Sequence, residues 1–264
     1  MLITVAVVPG PPAFVAELMG SAAHELDDLR DAADRVVSRA LSDLIAVSAS
    51  SLSGCWPSGS PSVQLVVVGP GKPGEFNVSG PVSFSSFGRD FVVPALVEGQ
   101  PSDPTLPTPM MVARYLASRD IAAHPAHAQL WASAWWITTS GDGHATALGQ
   151  QLAADGTCVG LILVADGAAC HGRKAPRAQD ARAQAYDDGV GAALASGQPS
   201  RLAQIDADLG DELGATGSQV WPALVAAAGG DGIGEVLWAG APYGVGWAVA
   251  SWRRFAASAI SAQA

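Results

Sequence analysis

Apolar and polar residues alternate along the chain in blocks that predict a strand, a helix and a second strand. Residues 2–8 form a continuous, largely β-branched run, typical of a strand covered on both faces. Apolar residues recur at three- and four-residue spacing over 26–44, which predicts an amphipathic helix with Ser21 as its N-cap. A second buried strand follows at 63–68. This order predicts a right-handed βαβ unit with parallel strands.

The remaining pattern predicts one α/β domain over residues 1–264. Residues 69–109 are rich in Pro, Gly and Ser and predict an irregular excursion over the sheet edge, long enough to be a functional or lid-like loop. We expect a mixed, mostly parallel central sheet flanked by helices, closed by an antiparallel hairpin. The further predicted elements are helices at 109–118, 145–154, 178–196, 200–209 and 219–228, and strands at 130–138, 158–165, 235–239 and 245–252.

Composition narrows the class of partner. Charged residues make up 14% of the chain and the net charge is −10. The chain therefore lacks the clustered Lys and Arg that neutralise the phosphates of a bound nucleic acid. We therefore expect neither a nucleic-acid partner nor an anionic membrane surface. The apolar start of the chain lacks a positive n-region and stops at a Pro-Gly-Pro-Pro turn, which predicts a buried strand and a cytoplasmic protein. Three cysteines at unpatterned spacing do not predict a disulfide framework: Cys55, Cys158 and Cys170.

Two short motifs do not indicate a site on their own. Residues 69–74 match G-x-G-x-x-G after a strand, but Pro73 interrupts the motif and no amphipathic helix follows, so we do not predict a dinucleotide site. His124 and His127 are three residues apart, and we interpret them as a pair without a neighbouring carboxylate or thiolate, in a solvated loop before a strand.

Four short segments carry a family resemblance. A first strand ending in Pro-x-Pro-Pro (9–12), a second ending in Gly-Pro-x (68–71), a polar loop after a late strand (165–172) and a Gly-Glu-Val strand (234–238) occur in order. In the order of these segments the chain resembles the class III extradiol ring-cleavage dioxygenases. Within that family it is similar to the LigB-type catalytic subunit and its small bacterial relatives. The resemblance covers nearly the whole chain and implies a LigB-like α/β fold.

The resemblance also implies where a metal site would lie. Members of the family bind Fe(II) through two histidines and a glutamate, a facial triad with open positions. The positions of the two histidines correspond to Gly10 and Gly71, and the glutamate corresponds to Glu235. His171 lies in a diverged version of the setting that holds the family's acid/base histidine. Glycine has no side-chain ligand, so two of the three metal ligands are missing at these positions.

Three hypotheses follow, and whether the protein is an enzyme stays open between them. In the first, the protein has lost iron-dependent ring cleavage, needs no cofactor, and binds a small molecule, an aromatic one by family analogy, in a cleft lined by Gly10, Gly71, His171, Glu235 and Tyr243. Its negative charge disfavours acidic ligands unless basic side chains reach inward. In the alternative, the protein is an active non-haem Fe(II) ring-opening dioxygenase with relocated ligands. The third is a homo-oligomeric or structural role through the Trp-rich run 131–136. In the first hypothesis, the basic side chains that could reach inward are Arg173 and Lys174. In the second, the relocated iron ligands would be Glu235 and two of His124, His127, His144 and His171.

Overall fold

A computed structural model describes residues 1–49, 62–141 and 143–255, and within them the chain forms an α/β domain around a seven-stranded sheet. The strands are β1 (Leu2–Val8), β2 (Val63–Pro70), β3 (Gly74–Phe76), β4 (Val82–Ser83), β5 (Val92–Val93), β6 (Trp135–Thr139), β7 (Cys158–Val164), β8 (Gly232–Gly240) and β9 (Trp247–Arg254). The strand order in the sheet is β3-β6-β2-β7-β1-β9-β8. A separate two-stranded hairpin pairs β4 with β5.

The four central strands are parallel, and the strands at both edges are antiparallel. β7 pairs in parallel with β1 and β2, and β2 pairs in parallel with β6. β3 pairs with β6, β9 with β1, and β8 with β9, all antiparallel. The mixed, mostly parallel central sheet and the closing hairpin are therefore confirmed. The carboxyl ends of β1, β2, β6 and β7 meet at one edge, where open α/β sheets bind their ligands.

Helices cover both faces of this sheet. One face packs on the helices that begin at Asp27 and Thr108, and its core includes Ala6 and Val8. The other face packs on the helices that begin at His144, Ala183 and Trp221, and its core includes Val5 and Val7. Alternate residues of β1 thus point to opposite faces. No helix of the described residues is long and apolar enough to cross a membrane. The helices are α1 (Ala16–Met19), α2 (Asp27–Ala49), α3 (Thr108–Ala123), α4 (Ala128–Ala132), α5 (His144–Ala154), α6 (Ala183–Ala195), α7 (Pro199–Leu202), α8 (Ala207–Leu213) and α9 (Trp221–Ala228).

Three local predictions are wrong. The strand expected from residue 130 begins only at Trp135, because the preceding apolar run forms α4. Ser21 does not cap a helix but lies inside a 3-10 turn, Gly20–Leu26, that leads into α2. The helix expected over 200–209 is divided between α7 and α8. Of the cysteines, Cys158 and Cys170 are free and buried, and Cys55 lies outside the described residues.

The segment before α3 reaches the sheet edge through one short strand and packs other residues against the core. It contributes β3 to the main sheet and forms the β4–β5 hairpin. The buried guanidinium of Arg114 anchors it, because Nε donates to the carbonyl oxygen of Val78 at 3.2 Å. The G-x-G-x-x-G segment runs into β3 rather than into a helix.

The Trp-rich run lies largely in the core. Trp131 is fully buried, and its ring lies 5.8 Å from that of Trp136, which is also buried. These two side chains therefore pack inside the described domain rather than on its surface.

Candidate functional site

The carboxyl edge of β1 holds Gly10 in a space that is already filled. Its amide donates to Asp166 Oδ1 at 3.1 Å. A Cβ atom added at Gly10 would lie 2.9 Å from Cγ1 of Val164 and 3.8 Å from Pro109 of α3. The start of α3 thus covers the edge where an open cleft was expected, and a larger side chain at position 10 has no room.

Gly71 excludes a side chain for a different reason. Its φ is +148°, a backbone conformation that L side chains rarely adopt. Its amide donates to the carbonyl oxygen of Thr139 at 2.9 Å, which fixes this turn beyond β2. Gly10 therefore suits a closely packed position and Gly71 a backbone conformation with positive φ, and neither supplies a metal ligand.

Glu235 lies away from both glycines. It is opposite Ser251, which is in turn opposite Ala6 in the middle of β1. Glu235 thus lies two strands away from β1, at the level of Ala6, which is four residues before Gly10. With the usual spacing between strands and rise per residue, Glu235 is about 16 Å from Gly10. Its carboxylate accepts a hydrogen bond from Arg39 Nη1 of α2 at 3.0 Å, in an exposed ion pair. The residues at the family's iron position therefore do not fit Fe(II).

His171 forms a close pair with a carboxylate that the sequence did not reveal. Its Nε2 lies 2.6 Å from Oδ2 of Asp187 in α6. The Ala168 amide donates to the other oxygen, Oδ1, at 2.9 Å. Both side chains are largely buried, with 12% of His171 and 18% of Asp187 exposed. This pair can bind and exchange a proton at the sheet's carboxyl edge.

Two glycines make room for this carboxylate. A Cβ atom at Gly246 would lie 1.7 Å from Oδ2 of Asp187, and one at Gly167 would lie 2.3 Å from Oδ1. Both distances are far shorter than van der Waals contact. The backbone is therefore built closely around Asp187 on two sides.

The turn between β8 and β9 folds onto the same loop. The His171 amide donates to the carbonyl oxygen of Gly244 at 3.0 Å, and the Gly246 amide donates to that of Ala168 at 2.8 Å. This brings the turn that carries Tyr243 next to His171. Tyr243 itself points away, since its hydroxyl donates to Glu25 at 2.6 Å and its side chain is exposed.

Burial controls the charge of the two aspartates. Burial raises the pKa of Asp166 to about 7, although hydrogen bonds from Gly10 and Thr216 partly oppose it. Burial also raises the pKa of Asp187, opposed by the Ala168 amide and by His171. The Asp166 carboxyl is therefore partly protonated near pH 7.

Two spaces meet at Trp221, the first residue of α9. On one side lies a small cavity of about 30 Å³, whose lining is mostly apolar but includes Asp166, Asp187 and Trp247. The buried indole N–H of Trp247 has no hydrogen-bond partner among the described residues. On the other side lies an apolar pocket of about 440 Å³. The small cavity has room for one or two water-sized groups, whereas the pocket has the volume of a small-molecule site.

The remaining candidate histidines lie elsewhere. His144 lines a separate groove beside β3 and β6. His124 and His127 do have a carboxylate nearby, so that part of the sequence interpretation is wrong: Asp120 lies within 3.4 Å of a ring nitrogen of each. His124 also lines an open groove that includes Glu235, but that glutamate is held by Arg39. The four residues Gly10, Gly71, His171 and Glu235 do not converge on one cleft.

Sequence reasoning missed Asp187 and Trp221. Asp187 lies within an expected helix, where a polar residue is usually solvated, and only the glycines at 167 and 246 indicate a close approach. Trp221 lies at the start of an apolar helix and could not be distinguished from an ordinary core residue.

Comparison with known proteins assigns no family. No family model matches the chain, and no curated protein matches it. Among solved structures it is similar to an uncharacterized protein from Escherichia coli K12, with 13% identity, 95% of this chain and 99% of that chain covered, and a TM-score of 0.38.

Proposed function

We propose that the protein is a LigB-like member of the extradiol-dioxygenase fold that lacks iron-dependent ring cleavage and binds a small, uncharged, hydroxyl-bearing aromatic molecule. The observation that carries this proposal is the position of Trp221, which lines both the apolar pocket and the small cavity that Asp166 and Asp187 also line. The aromatic ring lies in the pocket against the indole, and a hydroxyl reaches the carboxylates beyond it.

The few polar groups that line the small cavity suit a hydroxyl group in particular. A hydroxyl accepts one hydrogen bond and donates another. The unpartnered N–H of Trp247 is a donor, and the carboxylate of Asp187 is an acceptor. A ligand hydroxyl would pair both groups, which matters because unpaired buried polar groups destabilise a site.

The charge of the site favours neutral ligands. Asp187 and Asp166 both line the cavity, and among the described residues neither is paired with Lys or Arg. Arg173 and Lys174 are exposed rather than directed inward. An aromatic carboxylate therefore meets repulsion without a compensating cation.

Calorimetric titration with catechol and benzene tests the proposal. Asp187→Asn is expected to weaken catechol binding by about tenfold, because it removes a charged acceptor, and to leave benzene binding unchanged. Ala203→Phe, at an exposed position that lines the apolar pocket, is expected to weaken both. Asp188→Asn is the matched control, since Asp188 is the exposed neighbour on the same helix. Equal catechol affinity in wild type and Asp187→Asn, or no catechol binding to wild type, would contradict the proposal.

Oxygen uptake separates this proposal from the active dioxygenase. Protein supplied anaerobically with Fe(II), and then exposed to oxygen with catechol or protocatechuate, is expected to consume no more oxygen than the protein-free control. Substrate-dependent uptake that Glu235→Ala abolishes would show instead that a relocated iron site operates.

A further inference from the structure

A cluster of two histidines and one aspartate lies far from the sheet's carboxyl edge. Asp120 is near the end of α3, and His124 and His127 are in the turn that follows. The three side chains each present a ligand atom, and these atoms lie within 4.8 Å of one another. From this geometry we propose that Asp120, His124 and His127 form a binding site for a divalent transition-metal ion such as zinc.

The distances are close to those of a bound ion. Nδ1 of His127 is 3.0 Å from Oδ2 of Asp120, and Nδ1 of His124 is 3.4 Å from Oδ1. In a tetrahedral zinc site with bonds of about 2.0–2.2 Å, neighbouring ligand atoms are about 3.3–3.5 Å apart. Only small movements are therefore needed to place all three around one ion.

Each ligand also has an outer partner of the kind that metal ligands use. Nε2 of His124 lies 3.3 Å from the hydroxyl of Ser38, and Nε2 of His127 lies 3.3 Å from that of Ser42. With a metal on Nδ1, each Nε2–H donates to its serine, which fixes the ring orientation. The indole N–H of Trp131 donates to Asp120 Oδ2 at 2.7 Å and orients the carboxylate in the same way.

Exposure determines how an ion enters. The side chains of Asp120 and His127 are 1% and 5% exposed, whereas that of His124 is 47% exposed. The two imidazoles are stacked with their planes 22° apart, so one ring must tilt before both nitrogens face the ion. His124 is the more exposed ring and therefore the one that tilts. In its tilted position it covers the ion on the solvent side. A water molecule completes the tetrahedron.

The chemistry of the ligands favours a borderline ion over a hard one. Two imidazole nitrogens and one carboxylate suit Zn²⁺ and Co²⁺, whereas Mg²⁺ and Ca²⁺ prefer oxygen ligands alone. Binding displaces the Nδ1 protons of the imidazoles.

Titration of metal-free protein with Co²⁺, followed by visible d–d absorption, and competition with Zn²⁺ test the site. Wild type is expected to bind one ion with the spectrum of a four-coordinate N/O site, and excess Mg²⁺ is expected not to displace it. His124→Ala, at the exposed ligand, is expected to weaken binding at least about tenfold, and Ser42→Ala to weaken it by about tenfold. His24→Ala is the matched control, because His24 forms an exposed pair with Asp27 at 3.0 Å and has no second imidazole among the described residues near it.

Two results would overturn the metal site. One is the absence of Co²⁺ binding to wild type at concentrations up to about 0.1 mM. The other is equal affinity in wild type and His124→Ala, in a variant whose circular dichroism and unfolding match wild type; the three side chains would then be a hydrogen-bonded network alone.

Discussion

Replacement of Gly246 by alanine is expected to destabilise the protein by about 3 kcal/mol or more. The new Cβ atom would lie 1.7 Å from Oδ2 of Asp187 and 2.6 Å from its Cγ. Asp187 cannot move away cheaply, because the Ala168 amide and His171 Nε2 hold its two oxygens. The expected loss therefore includes both overpacking and the broken carboxylate hydrogen bonds. Urea unfolding of the wild type and the variant measures it.

Gly191→Ala is the matched control for this substitution. Gly191 lies in α6, four residues after Asp187, and a Cβ atom there meets nothing within 4 Å among the described residues. Alanine in a helix interior is favoured over glycine by about 0.5–1 kcal/mol, so this variant is expected to be slightly more stable than wild type. A Gly246→Ala variant as stable as wild type would show that the backbone is not built around Asp187.

In wild type, Asp166 is expected to make the free energy of unfolding fall as the pH rises. Replacement of Asp166 by asparagine is expected to remove this fall. The carboxyl has a pKa of about 7 in the folded protein because of burial, against 3.8 ordinarily. Between these values the folded state keeps a proton that the unfolded chain has released, so the free energy of unfolding falls as the pH rises from about 4 to about 7. Above that range the loss is complete.

The size of this effect is several times the thermal energy. A shift of this extent corresponds to at most about 4 kcal/mol, and we expect about 2 kcal/mol because Asp166 is only partly buried. Urea unfolding of both proteins from pH 4 to pH 8 measures how the difference between their free energies of unfolding changes with pH. The contributions of the other carboxylates are the same in both proteins and cancel in this difference. Asparagine still accepts from the Gly10 amide, which preserves the local structure. A difference between the two proteins that does not change with pH would contradict the raised pKa.

The sheet could be predicted from local pattern, whereas the site could not. The buried runs that form β1, β2 and β7 are largely apolar, and all three begin at the expected residues, Leu2, Val63 and Cys158. The apolar run at α4 was misassigned because short buried helices and strands share the same composition.

The sequence did not reveal the roles of Asp120 and Asp187, for two different reasons. Asp120 was overlooked because α3 was expected to end at residue 118; its real end at Ala123 places Asp120 one helical turn before His124. Asp187 pairs with His171 across sixteen residues, and such tertiary pairing leaves no periodic signal. Gly10 and Gly71 were interpreted as lost metal ligands. The structure adds the physical reason why each position holds glycine. Neighbouring atoms fill the space around Gly10, and the backbone at Gly71 has a positive φ.

The imidazole spectrum of ¹⁵N-histidine-labelled protein, recorded during titration with catechol, tests the proposed ligand site most directly. The chain has five histidines, so each ring can be followed separately. Because His171 Nε2 lies 2.6 Å from the Asp187 carboxylate, a hydroxyl that binds Asp187 is predicted to shift the His171 nitrogens and to leave those of His24, His124, His127 and His144 in place. A His171 ring that does not change at saturating catechol, while His124, His127 or His144 shifts, would contradict the account.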